Sequence, residues 1–263
     1  MTPAGSGSIE VFPSGAELAA AAAEHFVAAA AAAIAATETF SVALSGGSTP
    51  RALFVLLGSP RYAERVNWAR VHLFWGDERC VPPGDEASNY RIARETLIDH
   101  VPLRPENIHR IRGEDSPAAA ADLYERELRA ALTTPTGAPL VSPGSRFDLV
   151  LLGLGTNGHT ASLFPHMQAV RERTRWVMAE TIEQLQMWRI TLTPVVLNAA
   201  AEVLFLVTGR EKAAVLRRVL YGTRETDVLP AQVIAPVAGS LRWYVDAAAA
   251  SELPAAKPGD RPR

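Results

Sequence analysis

A single cysteine, Cys80, stands among 263 residues, so no intrachain disulfide can form and no multi-cysteine zinc site can be assembled. That scarcity suits a reducing compartment. Charge of one sign is missing as well: 26 lysines and arginines face 28 aspartates and glutamates, a net charge of −2, with the signs interspersed. Nucleic acid and anionic membranes need a one-signed basic patch, so neither is expected as a partner. A long apolar run is also lacking. Residues 16–36 are rich in alanine, yet Glu17, Glu24 and His25 interrupt them. The longest uncharged stretch of that segment, 26–37, falls short of the ~20 residues a membrane span needs. The opening MTPAGSGSIE has no basic patch leading into an apolar segment and does not read as a secretory signal. The expectation is a soluble, cytoplasmic chain.

What is present is material for a core: 48% of residues are hydrophobic, and folding at this length buries about three quarters of the extended chain's surface. Alanine is the best helix former, so 16–36 is read as a helix with Ser14 as N-cap. Short runs rich in β-branched and aromatic residues follow at 40–44, 71–75, 147–152, 189–193 and 203–207, each leading into a turn and then a helical pattern. The clearest helices are 118–132 and 210–221. Strands alternating with helices predict an α/β fold, a mainly parallel sheet covered on both faces. The Pro- and Gly-punctuated stretch 133–146 is read as a surface loop. The expected organisation is a flexible N-terminus over 1–8, one domain over 9–253 and a flexible tail over 254–263.

Three strand-end turns carry the chemistry. The first reads Ser45-Gly46-Gly47-Ser48-Thr49-Pro50 between a strand and a helix. Adjacent glycines let N–H groups approach an anion, hydroxyls add donors, and proline suits the first helical turn. The nucleotide P-loop lysine is absent. The second, Gly76-Asp77-Glu78-Arg79-Cys80, ends another strand; Arg79 can grip a phosphate, with Asp77 or Glu78 orienting it. Cys80 reads as a small buried hydrophobe. The third, Gly153-Leu154-Gly155-Thr156-Asn157-Gly158-His159, puts a titratable side chain on a flexible strand end, a setting for acid/base work. His25, His72, His100, His109 and His166 lack that setting and read as structural or surface residues. No two histidines have helical metal-site spacing, so no metal is expected. Lys212 falls in the first turn of the 210–221 helix, where a cation opposes the helix dipole unless an anion is bound.

Taken in order, LSGGSTP, GDERCVP with SNY, FDLVLLGLGTNGHTASLFP, RITLTPVVLNAA, TGREKA and LPAQVI with LRWYVDAAAA resemble the 6-phosphogluconolactonase family, close relatives of the glucosamine-6-phosphate deaminases. The resemblance implies a deaminase/ribose-5-phosphate isomerase-like fold, a modified Rossmann architecture, with no cofactor. It implies hydrolysis of 6-phosphogluconolactone in the oxidative pentose phosphate pathway, a sugar phosphate as the small-molecule partner, and a monomer or weak homo-oligomer. It places the phosphate near Ser45, Gly46, Gly47, Ser48 and Thr49, with Arg79, Lys212 and Arg189 as cations, His159 as general base and Gly155 and Gly158 among the substrate-binding glycines. At position 157 the family usually carries Asp where this chain has Asn157. If that side chain touches the imidazole, it can still accept a hydrogen bond, leaving His159 oriented but with a lower pKa. Two rival readings stand beside this one. A deaminase would carry a carboxylate after the histidine turn, where this chain reads GHTASLFP. A non-catalytic sugar-phosphate sensor would keep the cradle alone.

Overall fold

The computed structural model describes residues 7–132, 144–182 and 186–254. Seven strands form the main sheet: β1 (Ser8–Phe12), β2 (Phe40–Leu44), β3 (Val71–Trp75), β5 (Ile108–His109), β6 (Leu149–Leu152), β9 (Glu202–Val207) and β10 (Ser240–Asp246). They run in the order β1-β10-β9-β6-β2-β3-β5, every neighbouring pair parallel. The strands read as near-continuous apolar runs because both faces are covered; all four residues of β6 are buried.

From β2 the chain steps outward to β3 and β5, then returns to β6 on the other side of β2 and proceeds to β9 and β10. The direction of winding reverses between β2 and β6. At such a point the loops leaving the two strands diverge to opposite faces and open a crevice at their carboxyl ends. The turns that begin at Ser45 and Gly153 leave these two strands.

A second sheet was not anticipated. The 189–193 run joins no parallel array: as β8 (Met187–Leu192) it pairs antiparallel with β7 (Val177–Ile182) and with β4 (Asp77–Arg79). The Asp-Glu-Arg triplet is therefore a strand and not a turn. Backbone bonds weld this sheet to the main one, since Gly76 N–H donates to the Leu44 carbonyl at 2.8 Å and Leu192 N–H to the Gly76 carbonyl at 2.8 Å. One continuous apolar core includes Leu44 and Leu152 of the main sheet and Ile190 and Leu192 of the smaller one.

Helix α1 (Gly15–Thr37) starts where Ser14 Oγ accepts the Glu17 N–H at 3.3 Å. It is long and apolar enough to cross a membrane, yet Leu18, Ala22, Phe26 and Ala30 are buried in the core. Helices α2 (Ser48–Leu57), α3 (Pro60–Ala63), α4 (Asn89–Thr96), α5 (Pro117–Leu132), α6 (Pro194–Leu197) and α7 (Ala213–Tyr221) complete the layers. The 210–221 segment starts with a tight 3-10 turn over Arg210–Lys212, which leaves Lys212 at the N-cap of α7. From α5, the buried Tyr124 hydroxyl accepts the Trp75 N–H and donates to the Trp75 carbonyl, both at 2.9 Å, fixing the end of β3. Ser8 belongs to β1, opposite Arg242, and not to a flexible terminus. Most of the 133–146 loop, and the tail beyond Pro254, lie outside the described residues.

Candidate active site

Turns following β2, β3 and β6, together with β8 and the approach to α7, enclose a cavity of about 270 Å³. Ser45, Gly46, Gly47, Arg79, Gly155, His159, Arg189 and Lys212, drawn from five separate stretches of sequence, all line it. Each element contributes for an identifiable reason.

Gly47 takes φ +104°, a conformation L side chains rarely adopt, and so turns the chain from β2 into α2. No side chain caps that helix, and its first N–H groups have no intrahelical partner. Ser45 is 6% exposed, yet its hydroxyl is unpartnered. Ser48 and Thr49 do not line the cavity with their side chains: Thr49 Oγ1 is 2.6 Å from Thr208 Oγ1, tying α2 to the end of β9. What these two residues offer the cavity is their backbone N–H groups at the open end of α2.

Arg79 and Arg189 stand directly opposite one another across β4 and β8. Like charges in that register repel. Both Nε atoms are buried without a partner; leaving such a group unsatisfied costs about 1–3 kcal/mol. Lys212 adds a third cation at a helix N-cap. Repulsion, unpaired donors and an adverse helix dipole would each be relieved by one bound anion, so the arrangement can hold one.

The acids beside Arg79 do work other than orienting it. Glu78 is buried and accepts from Arg79 N–H at 2.8 Å, Ser88 Oγ at 3.0 Å, Asn89 N–H at 2.7 Å and Tyr90 N–H at 2.8 Å. It holds the start of α4. Burial raises its pKa and these four hydrogen bonds pull against the rise. Asp77, 5% exposed, accepts from Ser162 Oγ at 2.6 Å and Asn89 Nδ2 at 3.2 Å, and lies 3.8 Å from Arg189 Nη1. Arg79 itself is steadied by the Ala87 carbonyl.

His159 is half-buried, its ring stacked on Phe164 with centroids 4.1 Å apart. Asn157 Oδ1 accepts twice, from the His159 N–H at 3.1 Å and from His159 Nδ1 at 2.6 Å. The backbone N–H can only donate, so it fixes which amide atom is oxygen. That oxygen in turn requires hydrogen on Nδ1 and puts the imidazole lone pair on Nε2. The contact between the two side chains therefore exists. The pKa of His159 is pushed down to about 4, first by burial; Asp77 opposes that shift, while Arg189, Lys212 and Arg79 add to it. The imidazole is neutral near pH 7, the form a base requires.

Gly155 must be glycine, because a Cβ there would fall inside the His159 ring. Its N–H donates to the His159 carbonyl at 2.8 Å, and Gly158 N–H donates to the Gly155 carbonyl at 3.0 Å. Neither N–H is free for substrate. Gly158 does not line the cavity; its carbonyl accepts from Ala231 N–H, so it shapes the loop. For Gly155 and Gly158 the reading as anion donors fails, because there the loop closes on itself. Asn89 and Ser162 escaped the sequence reading: their roles depend on partners 12 and 85 positions away, with no local pattern to mark them. Cys80 is only partly buried, and burial pushes its thiol up to about 11. No group of metal-ligating side chains occurs among the described residues.

A curated relative from Haemophilus influenzae, named 6-phosphogluconolactonase, is 40% identical over 208 residues, 79% of this chain and 85% of its own. One of the same name from Mycobacterium bovis is 37% identical over 260 residues, 95% and 99% of the two chains. Among solved structures, the 6-phosphogluconolactonase from Trypanosoma cruzi has a TM-score of 0.80 at 32% identity, covering 94% of this chain and 97% of that one. A monomeric glucosamine-6-phosphate deaminase has a TM-score of 0.76 at 20% identity over 93% and 99%, a likeness of fold alone. The model of the glucosamine-6-phosphate isomerases/6-phosphogluconolactonase family matches residues 13–243, and with relatives this similar over most of their length, the chain belongs to that family.

Proposed function

We propose that the chain hydrolyses 6-phospho-D-glucono-1,5-lactone to 6-phosphogluconate, a step of the oxidative pentose phosphate pathway, with His159 Nε2 as general base toward water. The observation that carries the reading is a neutral imidazole, its tautomer fixed by Asn157, in the same cavity as three cations. The phosphate sits among Arg79, Arg189 and Lys212 at the open end of α2, with Ser45 Oγ and the N–H groups of the 46–49 turn as further donors. The lactone carbonyl then lies toward His159.

A lactone carbonyl is already electrophilic, so catalysis consists of positioning, water activation and charge stabilisation. Water gives a proton to Nε2 as its oxygen bonds the carbonyl carbon. The imidazolium returns that proton to the ring oxygen as the C–O bond breaks. The oxyanion draws on the neighbouring cations or on N–H groups of the 153–157 loop other than that of Gly155, which is already engaged.

The reading includes one cytoplasmic domain over 9–253 that is monomeric or weakly associated; the continuous core and the lone cysteine support it. A pH-stat assay with freshly prepared 6-phosphogluconolactone, set against spontaneous hydrolysis, tests the activity. A rate indistinguishable from the spontaneous one overturns it.

A further inference from the structure

Proton transfer to His159 creates a cation in a cavity that already holds Arg79, Arg189 and Lys212. The hydrogen-bond partner on Nδ1 is an amide, so it orients the ring without offsetting that charge. We propose that the Asp77 carboxylate is the countercharge for the His159 imidazolium, which makes Asp77 a positioning residue of the reaction. The inference rests on His159 being the base. His159→Ala tests that premise by activity, whereas the titration of His159 tests Asp77 alone.

Asp77 is the only acid lining the cavity among the described residues. Glu78, next along β4, does not line it, and both its oxygens are taken by donors around the start of α4. The Asp77 carboxylate is held in place by Ser162 Oγ at 2.6 Å, three residues beyond His159, and by Asn89 Nδ2 at 3.2 Å. Its position thus moves with the loop that carries the base. Arg189 Nη1, 3.8 Å away, forms an ion pair with it but no hydrogen bond. A buried carboxylate held by fixed donors still projects its field across the cavity, where low polarisability preserves it.

The groups facing His159 are Asp77 and Arg79 from β4, Arg189 from β8, Lys212 from the N-cap of α7, the Phe164 ring and Asn157. Without substrate the three cations outweigh Asp77. A phosphate dianion offsets two of the three cations and Asp77 the third, so the imidazolium forms in a cavity of no net charge, whereas without Asp77 it would add to a residual positive charge.

The test is to move the carboxylate. Asp77→Asn keeps the shape and removes the charge; the double variant D77N/N157D restores a carboxylate at Nδ1 of the ring. The midpoint of His159, followed by its ¹³Cε1 resonance, should fall by about one pH unit in Asp77→Asn. The kcat should fall several-fold, less than the tenfold equivalent of one unit, because base strength passes only in part into rate. In the double variant both should recover, while 6-phosphogluconate binding at pH 7, read by calorimetry, persists throughout. Ser162→Ala keeps the charge and loses the hydrogen bond, so His159 should titrate near its original midpoint. In the unaltered chain the Asp77 ¹³Cγ resonance should show an inflection at the His159 midpoint. The proposal is overturned by an unmoved midpoint in Asp77→Asn, by a double variant no better than Asp77→Asn, or by Ser162→Ala reproducing the loss. Absence of the ¹³Cγ inflection overturns it even where Asp77→Asn fails to fold.

Discussion

His159 and His109 are both paired histidines near the main sheet, and their surroundings separate a reactive imidazole from a structural one. Both nitrogens of His109 are spoken for: Nδ1 lies 2.8 Å from Glu127 Oε1 and Nε2 3.0 Å from His72 Nδ1, and the ring stacks on Phe74 at 4.2 Å. His159 has one nitrogen held by Asn157 and the other carrying a lone pair toward a cavity of unpartnered donors. The cavity beside His109 is larger, about 400 Å³, but among the described residues it is lined by Glu127, Asp148 and no lysine or arginine. Size therefore does not mark the site. A satisfied network stabilises, whereas an unsatisfied one waits for a ligand.

The largest difference should appear on removing each ring. His159→Ala should lower kcat by about 100- to 10,000-fold, the usual cost of a general base, while 6-phosphogluconate still binds. His109→Ala should leave kcat within about twofold and cost about 1–3 kcal/mol of stability, since it strands Glu127 and His72. Steady-state kinetics with urea unfolding reads both. A His159→Ala variant with half the original turnover would sink the assignment of the base.

Next in size come the cations that only the smaller cavity has. Arg79→Ala and Lys212→Ala should each weaken substrate binding by about 1.5–3 kcal/mol, seen in KM, with the unphosphorylated lactone little affected. Arg79→Ala also removes one member of the like-charged Arg79–Arg189 pair. The substrate-free protein should thus lose little or even gain stability while it loses affinity. Equal losses with both lactones in each variant would mean that these residues build the fold and do not read the phosphate.

The centre of the main sheet, β2, β3, β6 and β9, was legible because buried parallel strands leave apolar runs and their turns leave glycines, whereas β1, β5 and β10 were not read as strands. β6 before the histidine loop is the plainest case. The smaller sheet was hidden because β4 consists of three charged residues, Asp77 to Arg79, whose strand pairing and burial depend on β8, more than a hundred positions away. Of the site, His159, Arg79, Arg189 and Lys212 were visible as chemical types at strand ends. The occupations of Glu78, Thr49 and Gly158 were not: capping α4, bonding Thr208 and closing a loop are tertiary facts with no local signature.

A smaller effect sharpens the contrast at Nδ1, where His109 meets a carboxylate and His159 an amide. Asn157→Asp gives His159 the charged partner it lacks and should raise its midpoint by about one unit. The acid limb of kcat should move upward with it, and turnover at pH 7 to 8 should rise several-fold at most, since a stronger base gains rate only fractionally. Superimposable pH–rate profiles would mean that this position orients the ring without tuning it.

The smallest effect concerns stability in acid, where two histidines behave alike despite their different roles. Burial lowers the pKa of His159 to about 4, and burial followed by the nearby His109 lowers that of His72. In the unfolded chain both titrate near the ordinary 6.5. Below that pH the unfolded state therefore binds more protons than the folded one, so stability is fully present above pH 6.5 and drains away as the pH falls. For His159 the loss continues down to about pH 4, where the folded state takes up its proton. His159→Gln and His72→Gln each remove one such group, so each should flatten the fall in urea midpoint between pH 7.5 and pH 5. The double variant should flatten it further, because the two rings lie in separate networks and their contributions add. Curves that stay parallel to that of the unaltered chain would show that neither histidine is held neutral by its burial, and would remove the reason for treating His159 as a ready base at neutral pH.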